Sequence, residues 1–108
     1  MTKIQTYHEF WPYYLREHGK RETRALHFLG TALAIGLFAA AIYYRDWIIT
    51  FGALISGYLF AWIGHFFVER NRPATFTYPL WSLISDFRMF FTFLAGRLDG
   101  EYRRYGLQ

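Results

Sequence analysis

Hydrophobic and polar positions divide the chain into two long apolar runs bracketed by short charged blocks. From Ala25 to Tyr44 twenty residues pass without a formal charge, and from Trp47 to Val68 another twenty-two. At about 1.5 Å per helical residue, either run crosses a hydrocarbon core of roughly 30 Å. Only Arg45-Asp46 separates them, so the two helices must run antiparallel. Upstream, Thr6 to His18 reads as a helix opened by a Thr6-x-x-Glu9 capping box. Pro12 predicts either a kink there or a start near Trp11, and Gly19 predicts a stop. Phe10, Trp11, Tyr13, Tyr14 and Leu15 give this helix an aromatic side suited to the membrane interface. Downstream of Pro73 and Pro79, Trp81 to Leu98 is apolar along Leu83, Ile84, Phe87, Phe90, Phe91 and Leu94. It also carries Asp86 and Arg88, read as a structural pair. Two charges argue for a re-entrant, interfacial or packed helix, with a third span as the alternative. The expected fold is all-α: one membrane-embedded helical domain over residues 1–108, two transmembrane helices in an antiparallel hairpin plus N- and C-terminal amphipathic, re-entrant or third-span helices.

Composition sharpens this picture in three ways. Hydrophobic residues make up 54% of the 108 and aromatics 23%, yet the mean hydropathy is only +0.05, because the charge is gathered into blocks. There is no cysteine, which removes disulfides, thiolate metal sites and cysteine nucleophiles from consideration. The net charge of +4 is spread over blocks where basic and acidic residues interleave. That is no nucleic-acid footprint; it suits a basic rim against anionic lipid. Most Lys and Arg lie before Ala25 and after Val68, which places both ends on the cytoplasmic side and Arg45-Asp46 across the membrane. The tail from Asp99 to Gln108 belongs with the cytoplasmic ends.

The candidate chemistry lies where the spans meet those charged ends. Ala53, Gly57, Ala61 and His65 follow one another at i, i+4 and stack along one stripe of the second span. Small residues on a stripe mark close helix contact in lipid, so His65 faces protein. His27, Gly30, Ala34 and Ala41 form a comparable stripe on the first span, and antiparallel packing brings His27 and His65 to one depth. On a continuous helix, His18 would lie about 180° from His27; a break at Gly19 lets it fold back beside His27. Glu69, four residues beyond His65, would share its face. His18, His27, His65 and Glu69, with Asp86 as a further carboxylate, are therefore expected to converge on one ion. His8 reads as an interfacial hydrogen-bonder outside the group.

Four separated motifs extend this reading: Phe10-Trp-Pro-Tyr-Tyr-Leu-Arg-Glu-His18, Arg24-Ala-Leu-His27-Phe-Leu-Gly30-Thr31, Trp62-Ile-Gly-His65-Phe-Phe-Val-Glu69, and Asn71-Arg-Pro-Ala-Thr75 with Tyr78-Pro-Leu-Trp81. In order, they resemble the short bacterial branch of a former domain-of-unknown-function family. Its yeast relative is an endoplasmic-reticulum 2-hydroxy fatty acid dioxygenase of fatty acid α-oxidation. The resemblance, from about Phe10 to Arg97, implies a multi-pass enzyme of the bacterial inner membrane that uses Fe(II), dioxygen and a 2-hydroxy fatty acid. The family's required histidines fall on His18, His27 and His65. Arg24, Arg70 or Arg72 would hold the substrate carboxylate through the guanidinium fork, and the acyl tail would lie along the aromatic helices. Membrane lipid and further copies of the chain are the expected macromolecular partners. The chain is much shorter than the yeast enzyme, and its section from Tyr78 to Arg88 follows the bacterial pattern. The alternative is a non-catalytic membrane lipid-binding or assembly protein with structural histidines. A proton or ion carrier ranks last, because the outer halves of the spans offer only Ser56, Thr50 and tyrosines.

Overall fold

The computed structural model describes residues 3–107, and every regular element among them is helical. Helix α1 (Tyr7–Arg16) starts where the Thr6 hydroxyl accepts the Glu9 backbone N–H at 3.2 Å, half of the expected capping box. It continues through Pro12 and does not begin near Trp11. The carbonyl left without a partner by Pro12 belongs to His8, which is exposed, so the missing bond is made up outside the protein.

Helix α2 (Arg21–Tyr44) and helix α3 (Ile48–Ile63) form the hairpin, and α3 runs on through a π turn at Gly64–Glu69. Each of these two segments is long and apolar enough to cross a membrane. The reversal uses Arg45 in the left-handed conformation (φ 53°), with the Asp46 N–H bonded to the Ala41 carbonyl at 3.0 Å and the Asp46 carboxylate accepting the Ile48 N–H. The expected small-residue stripes meet face to face. A Cβ on Gly30 would lie 3.0 Å from the Ser56 carbonyl oxygen and 3.1 Å from that of Gly57. One on Gly64 would lie 3.1 Å from Thr23 Cγ2. A methyl at either crossing would force its neighbours to give by a few tenths of an ångström, and these close contacts fix the depth match between His27 and His65.

A 3-10 turn (Ala74–Phe76) then leads to α4 (Pro79–Leu94), which has Pro79 at its first position, and on to α5 (Leu98–Arg104). The sequence pattern ran this helix to Leu98. It stops at Leu94 because Gly96 takes φ 73°, so that the Arg97 N–H reaches the Thr92 carbonyl and the Gly96 N–H that of Phe93, a Schellman stop. At sixteen residues, α4 is about 24 Å long and short of a span. Helices α1, α4 and α5 enclose an aromatic core of Phe10, Trp11, Tyr14, Met89, Leu98 and Tyr102. The Trp11 indole N–H donates to Glu101, and the Tyr7 and Ser85 hydroxyls are 3.0 Å apart.

Asp86 and Arg88 do not pair. Residues two apart on a helix face different ways: Arg88 approaches Glu101 at 3.8 Å and lies 4.0 Å over the Trp11 ring, while Asp86 turns inward to accept the Tyr14 hydroxyl. If the hairpin depends on its glycine crossing, Gly30→Ala should cost about 1–3 kcal/mol by overpacking, whereas Gly36→Ala, with nothing within 4 Å of the new methyl, should be neutral or stabilising. Thermal unfolding of the two variants in detergent reads the difference.

Candidate metal centre

Each of the three histidines is delivered by a different piece of backbone. His18 sits in the turn after α1, where its carbonyl is held by the Tyr102 hydroxyl at 2.7 Å and the Arg24 guanidinium at 3.1 Å. Arg24 in turn lies 4.4 Å over the Tyr102 ring. His27 is on α2, and His65 is in the π turn that follows α3. Turns of this wider type occur mostly as short interruptions at functional sites. All three rings are buried, and one nitrogen from each lies within 4.8 Å of the other two.

The hydrogen bonds around the rings settle their tautomers. His18 Nδ1 is 2.6 Å from the Tyr14 carbonyl oxygen and His27 Nδ1 is 3.1 Å from that of Thr23. A carbonyl only accepts, so both Nδ1 atoms carry the proton. His65 Nδ1 lies 2.7 Å from Asn71 Oδ1, and the Asn71 amide is oriented by its Nδ2 donating to the Glu17 carbonyl at 3.0 Å. It too is a donor. Each neutral ring therefore keeps Nε2 as a bare lone pair, and the Nε2 atoms of His18 and His27 face each other at 2.9 Å with no proton between them. Burial, and then the neighbouring His27 and His65, push the His18 imidazole well below its usual pKa, so protonation does not relieve the contact. A cation does. Acceptors behind the ring that fix its tautomer are the usual companions of metal-bound histidine.

A cavity of about 10 Å³ adjoins the rings, room for roughly one water-sized molecule. Two of its lining groups, Ser82 Oγ and Trp62 Nε1, are buried without a hydrogen-bond partner. Asp86 borders both this cavity and a far larger apolar groove of about 520 Å³ that runs along α2 and α3.

Glu69 is not brought into the cluster. The π turn rotates it off the His65 face, and its carboxylate accepts the Lys20 N–H at 2.5 Å, closing the N-terminus of α2, where negative charge is favoured. None of the three arginines lines the cavity or the groove. Arg24 is engaged with the His18 segment, and Arg70 and Arg72 border an outer depression with Phe66 and Phe67, Arg72 resting 5.3 Å from the Phe76 ring. His8 is exposed and apart. Asn71, Ser82 and the orienting role of Arg24 went unseen in the sequence, although Asn71 stands in one of the recognised motifs.

A family model described as 2-hydroxy-palmitic acid dioxygenase Mpo1-like matches residues 4–98. The chain belongs to this family. No curated protein and no solved structure matches it. In this Mpo1-like chain the matched segment contains all three imidazoles, Asn71, Ser82 and Asp86.

Two outcomes follow from these contacts. Asn71→Ala removes the acceptor that orients His65 and should weaken metal binding about 10–100-fold, read by competition with a chelator; unchanged affinity contradicts the tautomer lock. Burial raises the Asp86 carboxyl from its ordinary 3.8 to about 7. The folded state then holds this proton more tightly than the unfolded one, so the stability it contributes is complete below the unfolded value and is lost as pH rises toward 7. Asp86→Asn should therefore gain stability relative to the parent as pH climbs from about 4 to 7, measured as the difference in Tm.

Proposed function

We propose that this protein is an iron(II)-dependent membrane dioxygenase that shortens 2-hydroxy fatty acids by one carbon at the carboxyl end. The observation that carries the reading is the convergence of three buried, unprotonated Nε2 atoms, each fixed by an acceptor behind its ring. Family membership supports the substrate class. Ferrous iron, when bound by His18, His27 and His65, supplies open coordination positions and redox chemistry with dioxygen. Three neutral histidines without a thiolate suit such a metal.

The chain's own residues then divide the work. Tyr14, Thr23 and Asn71 hold the rings, while Arg24 and Tyr102 hold the His18 turn. Ser82 and Trp62 present unused donors to a small polar molecule in the cavity, and the aromatic core keeps bulk water away. Membrane embedding is supported by exposure: only 22% of each apolar window is buried inside the protein, whereas the core helix of a soluble protein is mostly covered. The basic ends support a multi-pass protein with the site at the cytoplasmic face of an inner membrane.

Anaerobically loaded protein in detergent should consume oxygen with 2-hydroxypalmitate and release an acid one carbon shorter, and palmitate without the hydroxyl should not react. His18→Ala, His27→Ala and His65→Ala should each weaken iron retention and abolish turnover. Equal trace metal in all four proteins and no oxygen uptake would instead identify a lipid-binding protein with structural histidines.

A further inference from the structure

The apolar groove is not absorbed by the metal centre, although the two share Asp86 and His27. Its walls are α2 and α3, with Leu83, Asp86 and Phe87 of α4 closing the cytoplasmic half. Polarity is confined almost wholly to one end, where His27, Thr31, Tyr58 and Asp86 meet. Beyond them Ala34, Phe38, Ala53, Leu54 and Gly57 offer only hydrocarbon, and the far end at Ile42 and Thr50 carries no charge. The volume lies within the ordinary range for a ligand pocket, roughly 300–1,000 Å³. From His27 to Ile42 the groove follows fifteen residues of one helix, about 22 Å. An extended chain advancing roughly 1.2 Å per bond, a third of the 3.6 Å per extended residue, covers that length in on the order of 18 bonds. The aromatic helices offer no such place: the rings of Phe10, Trp11 and Tyr14 are spent on one another and on Tyr78 and Trp81.

We propose that this groove is the acyl-chain site and sets the length of fatty acid the protein takes, with the carboxyl end at His27, Thr31, Tyr58 and Asp86 and the methyl end near Ile42 and Thr50. This inference rests on the function proposed above. It explains why the ionisable groups and most of the hydroxyls gather at one end, and it matches the way a fatty acid lies in the cytoplasmic leaflet, head at the interface and tail inward. The substrate enters sideways through the open side of the groove without turning over. The small side chains of Ala34, Ala53 and Gly57 leave the space that the tail fills.

Leu54 and Ile35 are the places to shorten it, since both line the groove and both are partly exposed to the outside, where a larger ring does not disturb the hairpin crossing. Leu54 is level with Gly36, because Gly57 packs against Ala34 and Gly52 against Leu37. That is nine residues past His27, about 13 Å, or roughly eleven bonds of tail.

The test uses metal-free full-length protein in nanodiscs and 2-hydroxy fatty acids of graded length, binding being read by native mass spectrometry. The parent should bind more tightly with each added carbon up to about 16–18, the length set by the groove. Leu54→Trp should lose at least tenfold in affinity for the longest acids and keep its affinity for those of about ten carbons. Ile35→Trp should do the same, and a metal titration on each variant shows whether the histidine cluster is intact. If both variants keep the metal site and bind every length as the parent does, the proposal is wrong. It is equally wrong if phospholipid or a second copy of the chain occupies the groove and free acids do not compete. Length-dependent binding without oxygen uptake by the iron-loaded protein would leave the groove standing and overturn the enzymatic reading. Turnover with an unchanged length profile in both variants would do the reverse.

Discussion

Two bare imidazole nitrogens 2.9 Å apart in a dry interior repel each other, and here the backbone holds them in place. His18 and His27 cannot turn away, because each Nδ1–H is committed to a carbonyl one helical turn upstream, and His65 is committed in the same way to Asn71. The cost of burying three lone pairs that point inward is offset when a cation sits among them. Much of the remaining structure can be understood as what keeps that arrangement from relaxing.

Three separate devices supply it. The hairpin crosses so closely at Gly30 and Gly64 that α2 and α3 cannot slide, which fixes His27 against His65. The aromatic core clamps α1 onto α4 and α5, and its Tyr102 reaches through to the carbonyls of Leu15 and His18. The π turn at the end of α3 widens the helix just where His65 must face inward, and Asn71 bonds its N–H to the His65 carbonyl as well as its side chain to the ring. Glu69, displaced by that same turn, ties the start of α2 to the π turn after α3.

Long-range order was legible in the sequence because it rests on periodicity. Two uncharged runs with a two-residue link imply a hairpin, and small residues at i, i+4 imply which faces touch; His27 and His65 follow from the same arithmetic. The break after Arg16 that returns His18 to the cluster was legible from Gly19. What stayed hidden depends on local departures from regular geometry. Regular helical spacing put Glu69 under His65, and the wider turn took it away. Asp86 and Arg88 looked like a pair because they are close in sequence, yet they point to opposite sides of α4. Asn71 lies in a charged flank, and nothing in its neighbours announces that its amide will orient a ring six residues back. Gly96 stopped α4 one turn earlier than the apolar pattern suggested, for apolar pattern says little about where a left-handed residue will fall.

The central claim is that His18, His27 and His65 bind one metal ion through Nε2. X-ray absorption on the full-length protein, loaded anaerobically with ferrous iron in nanodiscs, counts the imidazoles around that ion directly. Three imidazole nitrogens in the first coordination sphere, falling to two in His65→Ala, is the result the structure predicts. A sphere of oxygen ligands alone, unchanged by that substitution, would contradict it.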